Sequence, residues 1–232
     1  LEVSPIKIPV EGPRKAWLIG ELIRSKNEQK RISRNSIIIV NQGFSDTKES
    51  LQYLYYPLAL HGYQILIHDP RGLGKSKKVG KKTDHIQRIQ DFDFILQWVM
   101  NQDFLKNSNI YCIGVSHGTL PALIKAFPNE KIKKIVVISS VANFRKTFQR
   151  LNPILKLRYY IRGNILKIRK EQNLELSPVL KLKIYKKQVK PQEWKKLVER
   201  LLLIHAKNDK ITKFFNFEEL ISFLDVPPSN QI

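Results

Sequence analysis

The sequence predicts an α/β protein, with a mostly parallel central sheet, helices on both faces and an inserted helical cap. Three observations carry that expectation. From Ser36 onward, short apolar runs alternate with stretches of helical periodicity, the pattern of parallel strands joined by crossing helices. The alternation breaks off over residues 142–198 and resumes at Leu201. A length of 232 residues is ordinary for one such domain, so residues 1–232 are expected to form a single unit with 142–198 as its cap.

The elements justify themselves in order. Pro5 to Pro9 and Ala16 to Ile23 flank the turn Glu11-Gly12-Pro13 and read as an antiparallel pair at a sheet edge. SIIIV at Ser36 to Val40 is a strand buried on both faces, followed by a loop, a helix over Glu49 to Leu60 stopped by Gly62, and a strand from Tyr63 to His68. A helix from Thr83 to Met100 carries Ile86, Ile89, Phe92, Ile95 and Val99 at helical spacing, which makes Phe92 and Trp98 core residues. The strand Ile110 to Val115, a helix after Ser116 and the strand Lys134 to Ser139 complete the alternation. In the cap, Asn152-Pro153 opens a helix whose Ile154, Leu157, Ile161, Ile165 and Ile168 form one apolar face, with Lys156, Arg158, Arg162, Lys167 and Arg169 elsewhere on its surface. Ser177-Pro178 and Lys190-Pro191 open two more helices. After the strand Leu201 to His205 comes a helix from Phe214 to Leu224, then a polar connector.

Charge narrows the partners. Lys and Arg number 41 against 20 Asp and Glu, a formal +21, and residues 145–200 alone hold 17 Lys and Arg against four Glu, a net of +13. Such a surplus fits a Lys-rich compositional bias or an anionic partner. No apolar run is long enough to span a bilayer, the first residues lack the apolar core of a secretion signal, and the single cysteine, Cys112, allows no intrachain disulfide. The expected location is therefore the cytoplasm. The chain opens on Leu1, and further residues are expected to precede it.

The chemistry centres on GVSHG, Gly114 to Gly118, between an apolar strand and a helix. A serine on so sharp a turn projects its hydroxyl, and the residues two before and two after it must be small for strand and helix to pass closely. In that setting Ser116 is a candidate nucleophile.

The chain resembles the α/β-hydrolase superfamily, most nearly its serine-aminopeptidase, esterase and acylglycerol-lipase branches. IIIVNQGFSD is similar to the family's strand and HG loop, with Asn41-Gln42-Gly43-Phe44 where histidine-glycine is commoner; YQILIHDPRGLGKS is similar to its next strand and loop; LLLIHAKNDKIT is similar to the strand and turn that deliver the acid. The resemblance implies Ser116 as nucleophile, Asp209 as the acid orienting a catalytic imidazole, and an oxyanion hole from the backbone N–H groups of Phe44 and His117. It implies a serine hydrolase acting on a small-molecule ester, thioester or peptide.

The family order places histidine after the acid, and none follows Asp209. We expect the family's last strand and helix, and with them the catalytic histidine, to lie beyond Ile232. The five histidines present are read otherwise: His117 contributes its backbone N–H, His205 makes a structural hydrogen bond, His61 is a surface residue, and His68 and His85 cap or pack locally. Gly74-Lys75-Ser76 ends like a phosphate-binding loop, but Asp69 stands where the pattern needs glycine. Asp69, Arg71 and Gly72 are instead expected to form an ion-paired turn beside the site. Tyr53, Tyr55 and Tyr56 are expected to pack the first helix, with one of them left as a candidate for lining an acyl pocket. No metal or cofactor is expected, because no ligand spacing occurs. Nucleic acid is not expected as a partner, and a weak contact with an anionic membrane is left open. The alternative reading is a non-catalytic homologue that binds anionic lipid or nucleic acid through its basic cap.

Overall fold

The computed structural model describes residues 1–12, 16–161 and 170–232. Strands β1 (Glu2–Val10) and β2 (Ala16–Arg24) pair antiparallel, and helix α1 (Glu28–Arg34) leads into β3 (Ser36–Asn41). Helix α2 (Gln52–Leu60), β4 (Gln64–His68), α3 (His85–Met100), β5 (Asn109–Val115) and α4 (Thr119–Pro121) follow, with β6 (Ile132–Ile138) closing the alternation. Helices α5 (Phe144–Gln149), α6 (Pro153–Ile161), α7 (Lys170–Leu176), α8 (Pro178–Lys186) and α9 (Pro191–Val198) fill the interval before β7 (Leu201–Ile204), and α10 (Phe215–Leu224) comes after it.

Among the described residues the sheet has seven strands in the order β1-β2-β4-β3-β5-β6-β7. Strands β3 to β7 are parallel, and β2 joins antiparallel to β4. The alternation of side chains along each strand splits the core between two faces. Ile37, Ile39, Leu66 and Cys112 pack with Phe92 and Ile95 of α3, while Ile38, Val40, Ile65 and Ile67 pack with Tyr55 and Ala59 of α2. This two-sided burial is why the strands read as unbroken apolar runs rather than alternating ones. Between β3 and β5 the strand order reverses, and the C-terminal ends of those two strands open the crevice where open α/β sheets place their ligand.

Boundaries differ from the sequence reading by up to three residues, since element ends carry weaker signals than their centres. Helix α2 is preceded by a tighter turn over Lys48–Leu51, and the short α1 went unread. The expected turn at Pro13, and the part of the cap helix with Arg162, Ile165, Lys167, Ile168 and Arg169, lie outside the described residues. The proline starts at Pro153, Pro178 and Pro191 each open a helix. Backbone and side chains tie these helices to the sheet: Val179 donates its N–H to the Ala142 carbonyl at 3.1 Å, and Asn216 Oδ1 on α10 accepts from the Ala142 N–H at 3.0 Å and the Thr147 hydroxyl at 2.8 Å. Gln231 bridges Leu203 in parallel along β7, and the Ile232 N–H donates to the Leu203 carbonyl at 2.9 Å. No helix among the described residues is long and apolar enough to cross a membrane.

Candidate active site

Strand β5 ends at Val115, and the next residue, Ser116, takes a left-handed backbone with φ of +53°. That region is sterically unfavourable for any residue with a Cβ. The turn persists because its surroundings leave the chain no room to relax. A Cβ on Gly114 would lie 2.6 Å from the Gly118 carbonyl oxygen, and a Cβ on Gly118 would lie 2.0 Å from the Asn41 carbonyl oxygen. Thr119 pins the turn from the other side, donating its hydroxyl to the Ser116 carbonyl at 2.6 Å and accepting from the Val141 N–H at 3.1 Å.

The loop after β3 lies against this elbow, so that a Cβ on Gly43 would stand 3.7 Å from Ser116 Cβ. Its peptide planes are fixed by charged groups. Asp46 Oδ2 accepts the Gly43 N–H at 3.1 Å, while the Arg88 guanidinium reaches from α3 to the carbonyls of Gly43 at 3.1 Å and Phe44 at 2.9 Å. With those carbonyls held by Arg88, the orientation of each adjoining N–H is set as well, because the peptide is planar. Gln42, at the position where the family usually has histidine, donates its side-chain N–H to the His68 carbonyl and so ties the loop to β4.

Phe44, Ser116 and His117 share one pocket of about 50 Å³. Phe144, Phe148 and Leu151, from the stretch between β6 and α6, close it, and the loop after β7 adds Ile211 and Thr212. The aromatic lining therefore comes from the loop after β3 and the stretch that follows β6. Tyr55 is buried under α2, donating its hydroxyl to the Lys48 carbonyl at 2.7 Å, and Tyr53 is exposed.

Asp209 sits in the loop after β7 that supplies Thr212 to this pocket. Its Oδ1 accepts from the N–H groups of Ile211 at 2.8 Å and Thr212 at 2.9 Å, and its Oδ2 accepts from the Thr212 hydroxyl at 2.7 Å. Burial alone would raise this carboxyl, but those hydrogen bonds and one from the Ser139 hydroxyl hold it below the usual carboxylate range. The group is thus a fixed anion at the edge of the cleft.

The histidines are committed elsewhere. The His117 ring turns to His85, with His117 Nε2 and His85 Nδ1 2.9 Å apart, and both rings pack at tilted or edge-on angles against Phe44 and Phe144. Burial, and the Arg88 charge, push His85 down to about 3 and His117 well below its ordinary value. His205 Nε2 donates to the Thr212 carbonyl at 2.7 Å, and it lies 4.0 Å from Asp209 Oδ2. His68 is buried and likewise pushed down to about 3, by burial first and by Arg88 second.

One expectation needs correction in detail. Arg71 does not pair with Asp69: its Nε donates to Asp91 Oδ2 of α3 at 3.0 Å, and its Nη2 donates to the Glu11 carbonyl at 2.9 Å. Asp69 instead accepts the backbone N–H groups of Lys48 at 2.9 Å and Lys75 at 2.8 Å, joining the loops after β3 and β4. The guanidinium finds its carboxylate on the helix that covers it, a partner twenty residues away that local spacing does not reveal. Ser76 of the GKS stretch is fully buried and accepts the Ile19 N–H at 2.9 Å, so its hydroxyl faces strand β2 and no phosphate site forms there. Arg88, Thr119 and Thr212 went unread as site residues. Arg88 alone had a signal, a cation among the apolar positions of α3.

A serine on a sharp strand-to-helix turn at the strand-order reversal, a buttressed loop beside it and a carboxylate after a later strand belong to the α/β-hydrolase class of fold. The family model for serine aminopeptidase, S33, matches residues 33–190, and the chain belongs to that family. Among solved structures it is similar to the Pyrococcus furiosus esterase Pf2001, with 20% identity, TM-score 0.66, and coverage of 100% of this chain and 81% of that one. The esterase domain of a Rhodothermus marinus protein matches at 17% identity and TM-score 0.62, covering 99% and 85%. A Pyrococcus horikoshii acylaminoacyl peptidase matches at 15% and 0.66, covering 97% of this chain and 36% of its own. No curated protein matches by sequence. At these identities the structural likeness establishes the fold.

Proposed function

We propose that the protein is a serine hydrolase that cleaves an ester, thioester or amide through an acyl-enzyme on Ser116. The observation that carries this reading is the left-handed backbone at Ser116, a strained conformation kept at the mouth of a pocket with the Phe44 loop beside it. In this scheme Ser116 Oγ attacks the carbonyl carbon as its proton passes to an imidazole. The N–H groups of Phe44 and His117 stabilise the tetrahedral oxyanion, and collapse expels the alcohol, thiol or amine, which takes that proton. Water then attacks the acyl carbon and releases the acid, restoring the serine hydroxyl.

Asp209 orients the imidazole and stabilises its charged form. His85 and His117 hydrogen-bond each other and His205 is held by the Thr212 carbonyl, so none of these three is assigned as that base. A pocket of about 50 Å³ lined by Phe44, Phe144 and Phe148 favours a short apolar acyl group.

The test is covalent. With free imidazole supplied as base, a small alkyl fluorophosphonate is expected to place one phosphonyl group on Ser116 and none at that position in Ser116→Ala. Asp209→Asn is expected to slow the adduct at least about ten-fold, since members of a triad act as a unit. Labelling of the Ser116→Ala protein at an undiminished rate would remove the assignment.

A further inference from the structure

Each donor of the proposed oxyanion hole belongs to a peptide whose carbonyl comes from the residue before it. The Phe44 N–H shares a plane with the Gly43 carbonyl, and the His117 N–H shares one with the Ser116 carbonyl. In a trans peptide the two groups point in opposite directions, so whatever grips the carbonyl also aims the N–H. On the loop side that grip is the Arg88 guanidinium, which donates to the Gly43 carbonyl at 3.1 Å.

On the elbow side it is Thr119. The residue is fully buried and opens α4, three positions after Ser116. Its hydroxyl donates to the Ser116 carbonyl at 2.6 Å and accepts the Val141 N–H at 3.1 Å. A hydroxyl has one proton, and an N–H can only donate to it, so that proton is committed to the Ser116 carbonyl. The backbone N–H of Thr119 is divided between the Ser116 and His117 carbonyls, which leaves the hydroxyl as the undivided bond. A Thr hydroxyl that turns back to a carbonyl of its own turn is a common local bond. The bond from Val141 is not local: it comes from 22 residues away, on the stretch after β6 that lines the Ser116 pocket. Receiving it holds the Thr119 rotamer and polarises the hydroxyl toward Ser116, since hydrogen bonds in a chain strengthen one another.

We propose that Thr119 is a positioning residue of the oxyanion hole, holding the peptide that presents the His117 N–H as Arg88 holds the peptide that presents the Phe44 N–H. With both carbonyls gripped, the two N–H groups are aimed before any substrate arrives, which is what makes such donors effective in the transition state. The role rests on the hydrolase reading and adds to it a residue that acts through the Ser116 peptide rather than on the substrate.

Thr119→Val keeps the shape of the side chain and removes the hydroxyl, while Thr119→Ser keeps the hydroxyl. With imidazole supplied as base, acylation of Ser116 by p-nitrophenyl acetate at saturating ester is expected to slow at least about ten-fold in Thr119→Val, a part of the roughly 10²–10³ that a whole oxyanion donor supplies. The half-saturating concentration should stay within about two-fold of wild type, and Thr119→Ser should recover the rate to within about three-fold. The spectroscopic check is the hemiketal that a small trifluoromethyl ketone forms on Ser116. Its ionisation, followed by fluorine NMR, is expected to move up by about one pH unit in Thr119→Val, the equivalent of ten-fold, and to stay near wild type in Thr119→Ser. A residue that only braces the fold would lower the urea midpoint without moving that ionisation. Where Thr119→Val does not fold, Thr119→Ala removes the same hydroxyl in a smaller side chain. Wild-type acylation with an unshifted hemiketal in a folded variant lacking the hydroxyl, or an equal loss in Thr119→Ser, would overturn the proposal. Fluorophosphonate labelling of wild-type Ser116 separates the two readings: with labelling intact those results remove only the role of Thr119, and without it the hydrolase reading falls as well.

Discussion

Gly118→Ala is expected to yield little or no folded protein. The added methyl group would have to occupy a position 2.0 Å from the Asn41 carbonyl oxygen and 2.8 Å from that of Gln42, both backbone atoms at the end of β3. Neither can retreat freely, since Asn41 pairs with Gly114 in the sheet and Gln42 is tied to the His68 carbonyl. Overpacking against flexible side chains typically costs about 1–3 kcal/mol, and a clash with fixed backbone exceeds that range, which is a large share of a domain's stability. Urea unfolding, or the soluble yield where the protein fails to fold, reads the effect. A variant as stable as the wild type would mean that the elbow is not pressed against β3.

Acid is expected to unfold the protein well before carboxylates alone would. Burial first, and the Arg88 charge second, depress His68 and His85 to about 3 and hold His117 well below its ordinary value. The sign follows from proton counts: each imidazole is neutral in the folded state below about pH 6.5 while the unfolded chain takes up a proton there. Stability is therefore fully present above the unfolded value and is lost as pH falls toward the folded one. Each such histidine contributes a slope of about 1.4 kcal/mol per pH unit. Comparing urea midpoints at pH 7.5 and pH 5 should show a loss of several kcal/mol, and His85→Gln should flatten the dependence by one histidine's share. A stability that does not change between those two conditions would mean that the rings are accessible to protons.

The architecture was legible because its strands are buried on both faces and end in glycine-marked turns, so that SIIIV, QILIH and IYCIGV stand out as short apolar runs. The elbow was legible for a related reason: two glycines around a serine after such a run have few other structural uses. Arg71 shows where reading along the chain ends. Its neighbour Asp69 looked like its partner, yet that carboxylate is consumed by the N–H groups of Lys48 and Lys75, and the guanidinium pairs across the fold with Asp91. Arg88 shows the same limit more sharply. A buried cation on α3 reads as a flaw in an apolar stripe until the Gly43 and Phe44 carbonyls are seen to receive it. Of the apolar positions expected to form one face of the helix after Pro153, Ile154 and Leu157 are exposed, because which way they point depends on packing between elements far apart in sequence.

The central claim is that the Ser116 hydroxyl attacks an acyl carbon. It is met most directly by brief reaction with p-nitrophenyl acetate in the presence of imidazole, acid quenching and mass spectrometry of the peptide spanning Ile110 to Lys125. We expect an acetyl ester on Ser116 that forms along with the release of nitrophenol and disappears on return to neutral pH. Acetylation confined to lysine side chains, with Ser116 unmodified at every time point, would contradict it.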